Sequence, residues 1–228
     1  MRDPLAGSPW SMDTTVQGFV RSQPNETLMR FAAGERARAP HGWMLDIGCG
    51  AGRNAVPLAR EGWRVLGTDL SWPMLEAAAA RRRTQDQDGR LHLALTPMGA
   101  VPARDRLFDL IIAHGIWNLA ASVAEFRQAV AEAARVAAPG AGVFVLTFSR
   151  HTLPADLTPV NGEPYAYTEF SGQPQTFLTP SQLVDEMARA GFALDPAIPL
   201  EEHNRPPLGT VHAARTPVLL EAAFRLTA

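Results

Sequence analysis

The feature that most limits how this chain can fold is an alternation of short apolar runs with longer amphipathic stretches. "WMLDI", "RVLGTD", "LHLAL", "LFDLIIA" and "GVFVLTF" are apolar runs of strand length. Between them lie "GRNAVPLAREG", "SWPMLEAAAARRR" and "SVAEFRQAVAEAARVA", whose apolar residues recur at helical spacing. Parallel strands need long crossovers, so this rhythm predicts a parallel sheet with helices on both faces. Two further strand-like stretches, "FALDPAIP" and "TPVLLEAAFRL", have no helix between them and should pair as an antiparallel hairpin at one edge.

The punctuation supports these elements. Asn25 is placed to cap a helix over "NETLMRFAAGERARA", and Ser71 caps the helix that follows it. Ser122 with Glu125, and Thr179 with Gln182, have the spacing of capping boxes. Gly62 and Gly191 close helices, and Pro139-Gly140 should end another. Pro57 is tolerable only near a first turn. Residues 1–24, rich in Pro, Gly, Ser and Thr, read as a flexible leader, and 25–228 as a single domain. Within it, 149–178 is a long, weakly periodic insertion leaving the carboxyl end of the fifth strand. Connections of that length are uncommon unless they carry function, so it reads as a lid.

Bulk composition narrows the partners. A net charge of −2 gives no basic excess for nucleic acid. No run of about 18 uncharged apolar residues suggests a membrane span. The single cysteine, Cys49, allows no intramolecular disulfide and suits the cytoplasm. Nothing in the composition separates a monomer from a homodimer, and no metal-ligand cluster is apparent.

"LDIGCGAGRN" joins the first strand to its helix through three glycines at alternate positions. Glycine accepts positive φ and lets a ligand approach bare backbone, and a helix N-terminus offers free N–H groups. In an open parallel sheet ligands bind beyond the carboxyl ends of the strands. The dinucleotide pattern G-x-G-x-x-G fails here, because Arg53 stands where its third glycine belongs. Asp69, ending the second strand, can accept hydrogen bonds from both hydroxyls of a ribose.

Together, "LDIGCGAGRN…GTDLS", "FDLII" and "AAPGAGVFVLTF" resemble the class I methyltransferases that use S-adenosyl-L-methionine, most fully over residues 40–150. The resemblance implies an α/β, Rossmann-like, doubly wound fold: a mostly parallel seven-stranded sheet with a C-terminal antiparallel hairpin. It places Asp46 near the methionyl ammonium and the backbone of Gly48, Cys49, Gly50 and Gly52, with Asn54, along the cofactor. Asp69 holds the ribose, and Leu70, Ser71 and Met74 pack beside adenine. An acid soon after the third strand, usual in that family, is missing from "LALTPMGAVPA", so Thr96 or groups near Met98 must serve. His114, Trp117 and Asn118 in "AHGIWNLA" fall between cofactor and substrate. Trp117 could equally pack the following helix, and His114 could be structural. The lid would bring His151, Tyr165, Tyr167 and Phe170 to a small-molecule acceptor. "GTVHAARTPVLLEAAFRL" is similar to tellurite-resistance-type small-molecule methyltransferases, and that match adds His212 to His114 as a candidate catalytic residue. Two other readings stay open: a non-catalytic S-adenosylmethionine-binding protein and a Rossmann-type NAD(P) oxidoreductase.

Overall fold

The computed structural model describes residues 3–85, 88–205 and 216–227. Its elements are α1 (Asp13–Arg21), α2 (Glu26–Arg38), β1 (Trp43–Ile47), α3 (Ala55–Arg60), β2 (Arg64–Asp69), α4 (Trp72–Gln85), β3 (Leu91–Leu95) and β4 (Phe108–His114). There follow α5 (Val123–Val136), β5 (Ala137–Phe148), β6 (Ala166–Tyr167), β7 (Gln175–Thr176), α6 (Pro180–Arg189), β8 (Phe192–Leu194), β9 (Glu201–His203) and β10 (Leu219–Leu226).

The main sheet runs β3-β2-β1-β4-β5-β10-β8, with β9 also paired to β10. The first five strands are parallel, and β10 is antiparallel to β5, β8 and β9. The sheet therefore has eight strands where the sequence suggests seven, because the edge strand is split into β8 and β9. Pro196 and Pro199 lie in that gap and have no N–H to give to a ladder.

Continuous apolar runs make sense here because successive residues serve opposite faces. Met44, Leu110, Ile112 and Phe144 face the cluster built on α2 and α3. Leu45, Ile111, Val143 and Val145 face the one built on α5 and α6. A fully buried side chain such as Phe144 or Phe126 contributes roughly 1.5–3 kcal/mol. Caps fall where the sequence puts them: Asn25 accepts the Leu28 N–H at 2.8 Å, and Thr179 with Gln182 forms a full capping box. Pro57 is the third residue of α3, inside the tolerated first turn.

Three expectations need correction. Where the sequence reads as a loose leader, α1 forms and packs Val16, with Phe19 and Val20, on Ala51 and Met74. Threonine and glycine give this helix weak intrinsic propensity, so tertiary packing supports it. Pro139-Gly140 does not end α5, which stops at Val136; both residues lie inside β5, on its exposed beginning. The insertion turns its aromatic residues inward. Tyr165 meets Phe126 edge-on at 5.8 Å, and Phe170 packs on Phe148 at 5.2 Å. Tyr167 is buried and accepts a hydrogen bond from Arg150 Nε at 2.9 Å. Glu163 caps α5 by accepting the Val123 N–H at 2.7 Å. Tyr165 and Tyr167 are thus buried residues that tie the insertion to the core, where the sequence reads them as part of a lid.

Candidate active site

The glycine turn leaves β1 with Gly48, Gly50 and Gly52 all at positive φ, between +52° and +73°. A Cβ on Gly48 would lie 2.7 Å from the Ile116 side chain, so only glycine fits. At Gly50 the same atom would sit 3.3 Å from the Phe19 ring, which marks α1 as the cover of the turn. Cys49 between them is buried, and its N–H donates to the Thr68 carbonyl at 2.8 Å. Burial, with Asp46 and Asp69 nearby, pushes its thiol well up, so it is a small packing residue rather than a nucleophile. Asn54 is buried too, its Oδ1 accepting the Asn25 N–H at 3.1 Å; it joins the turn to the start of α2.

Two acids stand at the strand ends. Asp46 is 2% exposed, and its Oδ2 has no hydrogen-bond partner among the described residues. Burial lifts its carboxyl to about 7; the Arg53 charge opposes that rise and Asp69 adds to it. A buried acceptor without a donor is costly, so this oxygen is built for a partner that arrives from outside. Asp69 is better supplied: Oδ2 accepts the Gly50 N–H and Oδ1 the Ser71 N–H, both at 2.8 Å. Burial raises its carboxyl and those N–H bonds oppose the rise. Each oxygen keeps lone-pair capacity for a further donor.

Beyond Asp69, Leu70 is half-buried, Ser71 donates to the Trp10 carbonyl at 3.1 Å, and Met74 packs under α1. Thr96 donates its hydroxyl to the Ala100 carbonyl, while its N–H meets the Asp69 carbonyl at 3.1 Å. Met98 is half-buried against the α5 side of the core. The N-terminal segment closes over this wall: Asp3 accepts the Trp72 N–H at 3.1 Å, and the Arg53 guanidinium lies 5.9 Å from the Phe19 ring centre.

The tip of β4 carries His114, stacked on Phe144. Arg53 Nη2 donates to its Nδ1 at 2.9 Å, and Asn25 Nδ2 lies 3.3 Å from its Nε2. Burial first, and the Arg53 charge second, hold its pKa down to about 4. His114 is therefore an uncharged acceptor with little basicity. Asn25 continues the chain by donating to Glu221 Oε2 at 2.9 Å, and His203 faces the other oxygen at 3.4 Å. Trp117 is fully buried, edge-on to Phe126, and packs the core as the plainer reading of its position allows. Asn118 is 2% exposed, and its Oδ1 has no hydrogen-bond partner among the described residues. His151 is half-exposed and pairs with Glu202 at 2.7 Å. His212 lies outside the described residues.

Sequence reasoning missed Asn25, Arg53, Glu221 and the N-terminal segment as parts of this region. The i, i+3, i+4 spacing of Val16, Phe19 and Val20 was the available signal for the last of these. For Glu221, a lone acid inside "VLLEAAF" was the hint. Among the described residues no three or more His, Cys, Asp or Glu side chains gather to hold a metal ion. None of the described helices is long and apolar enough to cross a membrane.

Comparison with known proteins agrees with this geometry. Residues 44–140 match a family described as "Methyltransferase domain". The chain is 33% identical over 124 residues to a ubiquinone/menaquinone biosynthesis C-methyltransferase UbiE of Geotalea daltonii, covering 53% of this chain and 51% of that protein. It is 31% identical over 173 residues to a demethylmenaquinone methyltransferase of Lactiplantibacillus plantarum, covering 68% and 71%. It thus spans about half of the first relative and just over two thirds of the second. The fold matches the Burkholderia thailandensis 1,6-didemethyltoxoflavin-N1-methyltransferase, solved with S-adenosylhomocysteine, at a TM-score of 0.64 and 18% identity, covering 89% of this chain and 79% of that one. The chain belongs to the class I S-adenosylmethionine-dependent methyltransferases.

Proposed function

We propose that this protein transfers a methyl group from S-adenosylmethionine to a small organic acceptor. The observation that carries the reading is the unpartnered, buried Asp46 oxygen at the tip of β1, beside a turn that tolerates no side chain at Gly48. The residues present fit the cofactor. Asp46 supplies an anion for an ammonium or sulfonium, Asp69 has acceptor capacity for ribose hydroxyls, and the backbone of Gly48–Gly52 is bare. When bound, S-adenosylmethionine supplies an electrophilic methyl group on a good leaving group. The chain's own task is then alignment and exclusion of water, and positioning alone is worth effective molarities of about 10⁵ M or more. The segment carrying Trp10 and Phe19 over the turn serves that exclusion.

The relatives' names, in ubiquinone and menaquinone biosynthesis, support an organic acceptor. The tellurite-type resemblance draws on "GCGAGRN" and on Gly209 and His212 of the C-terminal stretch, and the last two lie outside the described residues. An oxidoreductase reading is disfavoured because Arg53 fills the third glycine's place and is committed to His114 and Phe19. Cys49 as the only thiol suits a reducing compartment such as the cytoplasm. Binding is the first test. S-adenosylhomocysteine at 100 times its Kd should stabilise the fold by about 2.7 kcal/mol, read as a rise in melting temperature. NAD and NADP should give no rise. Stabilisation by a nicotinamide dinucleotide alone would overturn the proposal. Release of S-adenosylhomocysteine with a panel of phenols, quinols, amines and thiols then separates an enzyme from a cofactor-binding protein.

A further inference from the structure

His114 was the sequence's candidate for proton chemistry, yet its Nδ1 lone pair is taken by Arg53 and its basicity is low. His151 differs in having a carboxylate on one ring nitrogen and a guanidinium only at the long limit of contact with the other. It follows the carboxyl end of β5, whose Leu146 pairs in register with His114 on β4. Its Nδ1 lies 2.7 Å from Glu202 Oε1, and its Nε2 lies 3.5 Å from Arg205 Nη2. A carboxylate only accepts and a guanidinium only donates. The two neighbours therefore specify one tautomer: the proton sits on Nδ1 toward Glu202, and Nε2 keeps its lone pair.

The support beneath the ring is complete. Ser149 donates its hydroxyl to the same Glu202 oxygen and accepts the His151 N–H at 3.1 Å. Arg205 Nη1 donates to Glu202 Oε2 at 3.1 Å. Burial alone would raise the Glu202 carboxyl; hydrogen bonds from Ser149 and His151 and the Arg205 charge bring it below the ordinary carboxylate range. Arg150, next in sequence, points away, to Tyr167 and the carbonyls of Leu153 and Pro154. Among the described residues, Glu202 and Arg205 are thus the charged groups within hydrogen-bond reach of the imidazole. Together they form a base held by a carboxylate, with a cation beside the atom that will lose a proton.

We propose that His151 Nε2 takes the proton from the methyl acceptor, that Glu202 is its positioning residue, and that the acceptor presents a hydroxyl or an N–H that is still protonated at neutral pH. The inference rests on the methyltransferase reading above. In the proton step the acceptor's O–H or N–H bond breaks, the proton moves to Nε2, and the electron pair stays on the acceptor atom as the nucleophile. Where the acceptor is a hydroxyl, Arg205 stabilises the negative charge that develops on its oxygen; a protonated amine becomes neutral in the same step. An acceptor already ionised, such as a thiolate, has no need of the pair.

Two measurements test this. Diethyl pyrocarbonate labelling, read by peptide mass spectrometry at neutral pH, needs no acceptor. His151, a half-exposed ring held as the Nδ1–H tautomer, should be modified severalfold faster than exposed His41, and Glu202→Gln should remove that advantage in a variant that still shows the wild-type circular dichroism spectrum. A His151 no faster than His41, or a rate indifferent to Glu202→Gln, overturns the pair. The second measurement follows methylation of the phenol, quinol, amine and thiol panel. His151→Asn should lower turnover of hydroxyl or amine acceptors by about 10²–10⁴-fold, the usual weight of general-base catalysis, and leave thiols little changed. The Kd for S-adenosylhomocysteine should stay within about twofold of wild type. Wild-type turnover of a phenol by His151→Asn across the pH range overturns the proposal while leaving the methyltransferase reading intact. Failure to bind S-adenosylhomocysteine at all would remove the reading beneath both.

Discussion

Asp46 offers a quantitative test of the cofactor site, because its carboxyl ionises near pH 7 in the free protein. An ammonium or sulfonium placed against Oδ2 favours the ionised form, so binding below pH 7 must expel a proton. If the complex stays ionised throughout, affinity weakens by a factor of one plus ten raised to the gap between that pKa and the pH. That is about 11-fold at pH 6 and about twofold at pH 7, relative to the alkaline plateau. Proton release should be about 0.9 at pH 6 and about 0.5 at pH 7. Calorimetry with S-adenosylhomocysteine in two buffers of different ionisation enthalpy reads both quantities. His114, held down to about 4, stays uncharged in this window and adds nothing. The sign for stability follows from the same shift. A carboxyl whose folded pKa lies above its unfolded one stabilises the free protein below pH about 4, and that contribution is lost as pH rises through about 7. Ligand-induced gain in melting temperature should therefore grow from pH 6 to pH 7. Asp46→Asn has no proton to expel, so its affinity should be weaker and flat with pH. An affinity independent of pH in the wild type, or the same slope in Asp46→Asn, would refute the reasoning.

Further outcomes follow from the same geometry. Asp69→Ala removes the acceptor of the Gly50 and Ser71 N–H bonds as well as the proposed ribose contacts. It should weaken S-adenosylhomocysteine by roughly thirty- to several-hundredfold by calorimetry and, because the turn loses its brace, also lower the melting temperature. Gly48→Ala forces a Cβ to 2.7 Å from Ile116 at a φ of +68°, so it should cost at least about 1–3 kcal/mol of stability in urea unfolding. Unchanged unfolding would mean that the turn relaxes freely. Phe19→Ala uncovers the turn at Gly50 and should speed S-adenosylhomocysteine dissociation in stopped flow while sparing the global fold. Glu163→Ala deletes the acceptor at the start of α5 and should loosen 149–178, measured as faster limited proteolysis, with a stability cost of about 0.5–2 kcal/mol.

The fold was legible where pattern and physics coincide. Strand-length apolar runs, crossover helices and their caps are local signals, and a two-faced parallel sheet has few alternatives. What escaped was decided by contacts between distant segments. Composition makes residues 1–24 look loose, since Gly18 and the paired Thr14 and Thr15 disfavour a helix. The helix forms because Ala51 and Met74 offer Val16 and Phe19 an apolar seat across the glycine turn. The direction of the insertion's aromatic side chains escaped for a related reason. A length without periodicity signals a functional loop, but it does not say which way aromatic side chains point, and here Tyr165 and Phe177 complete the core beside Phe126 and Phe148.

The site divides along the same line. The backbone features, three glycines and two strand-end acids, are fixed by residue type and spacing, and the structure puts them together. The roles of the histidines were not legible, because a histidine's chemistry depends on which neighbour meets which ring nitrogen. His114 and His151 look alike in the sequence, each at or just past the carboxyl end of a strand-length apolar run. Arg53 reaches Nδ1 of one and leaves it a weak base. Glu202 takes Nδ1–H of the other, and Arg205 addresses its Nε2. Arg53 stands 61 residues from His114, and Glu202 stands 51 from His151. Only the sheet order, which lays β9 against β10 and β10 against β5, brings Glu202 to the end of β5. The imidazole that can move a proton is therefore chosen by topology, and Glu202→Gln is the substitution that separates that choice from the mere presence of a histidine.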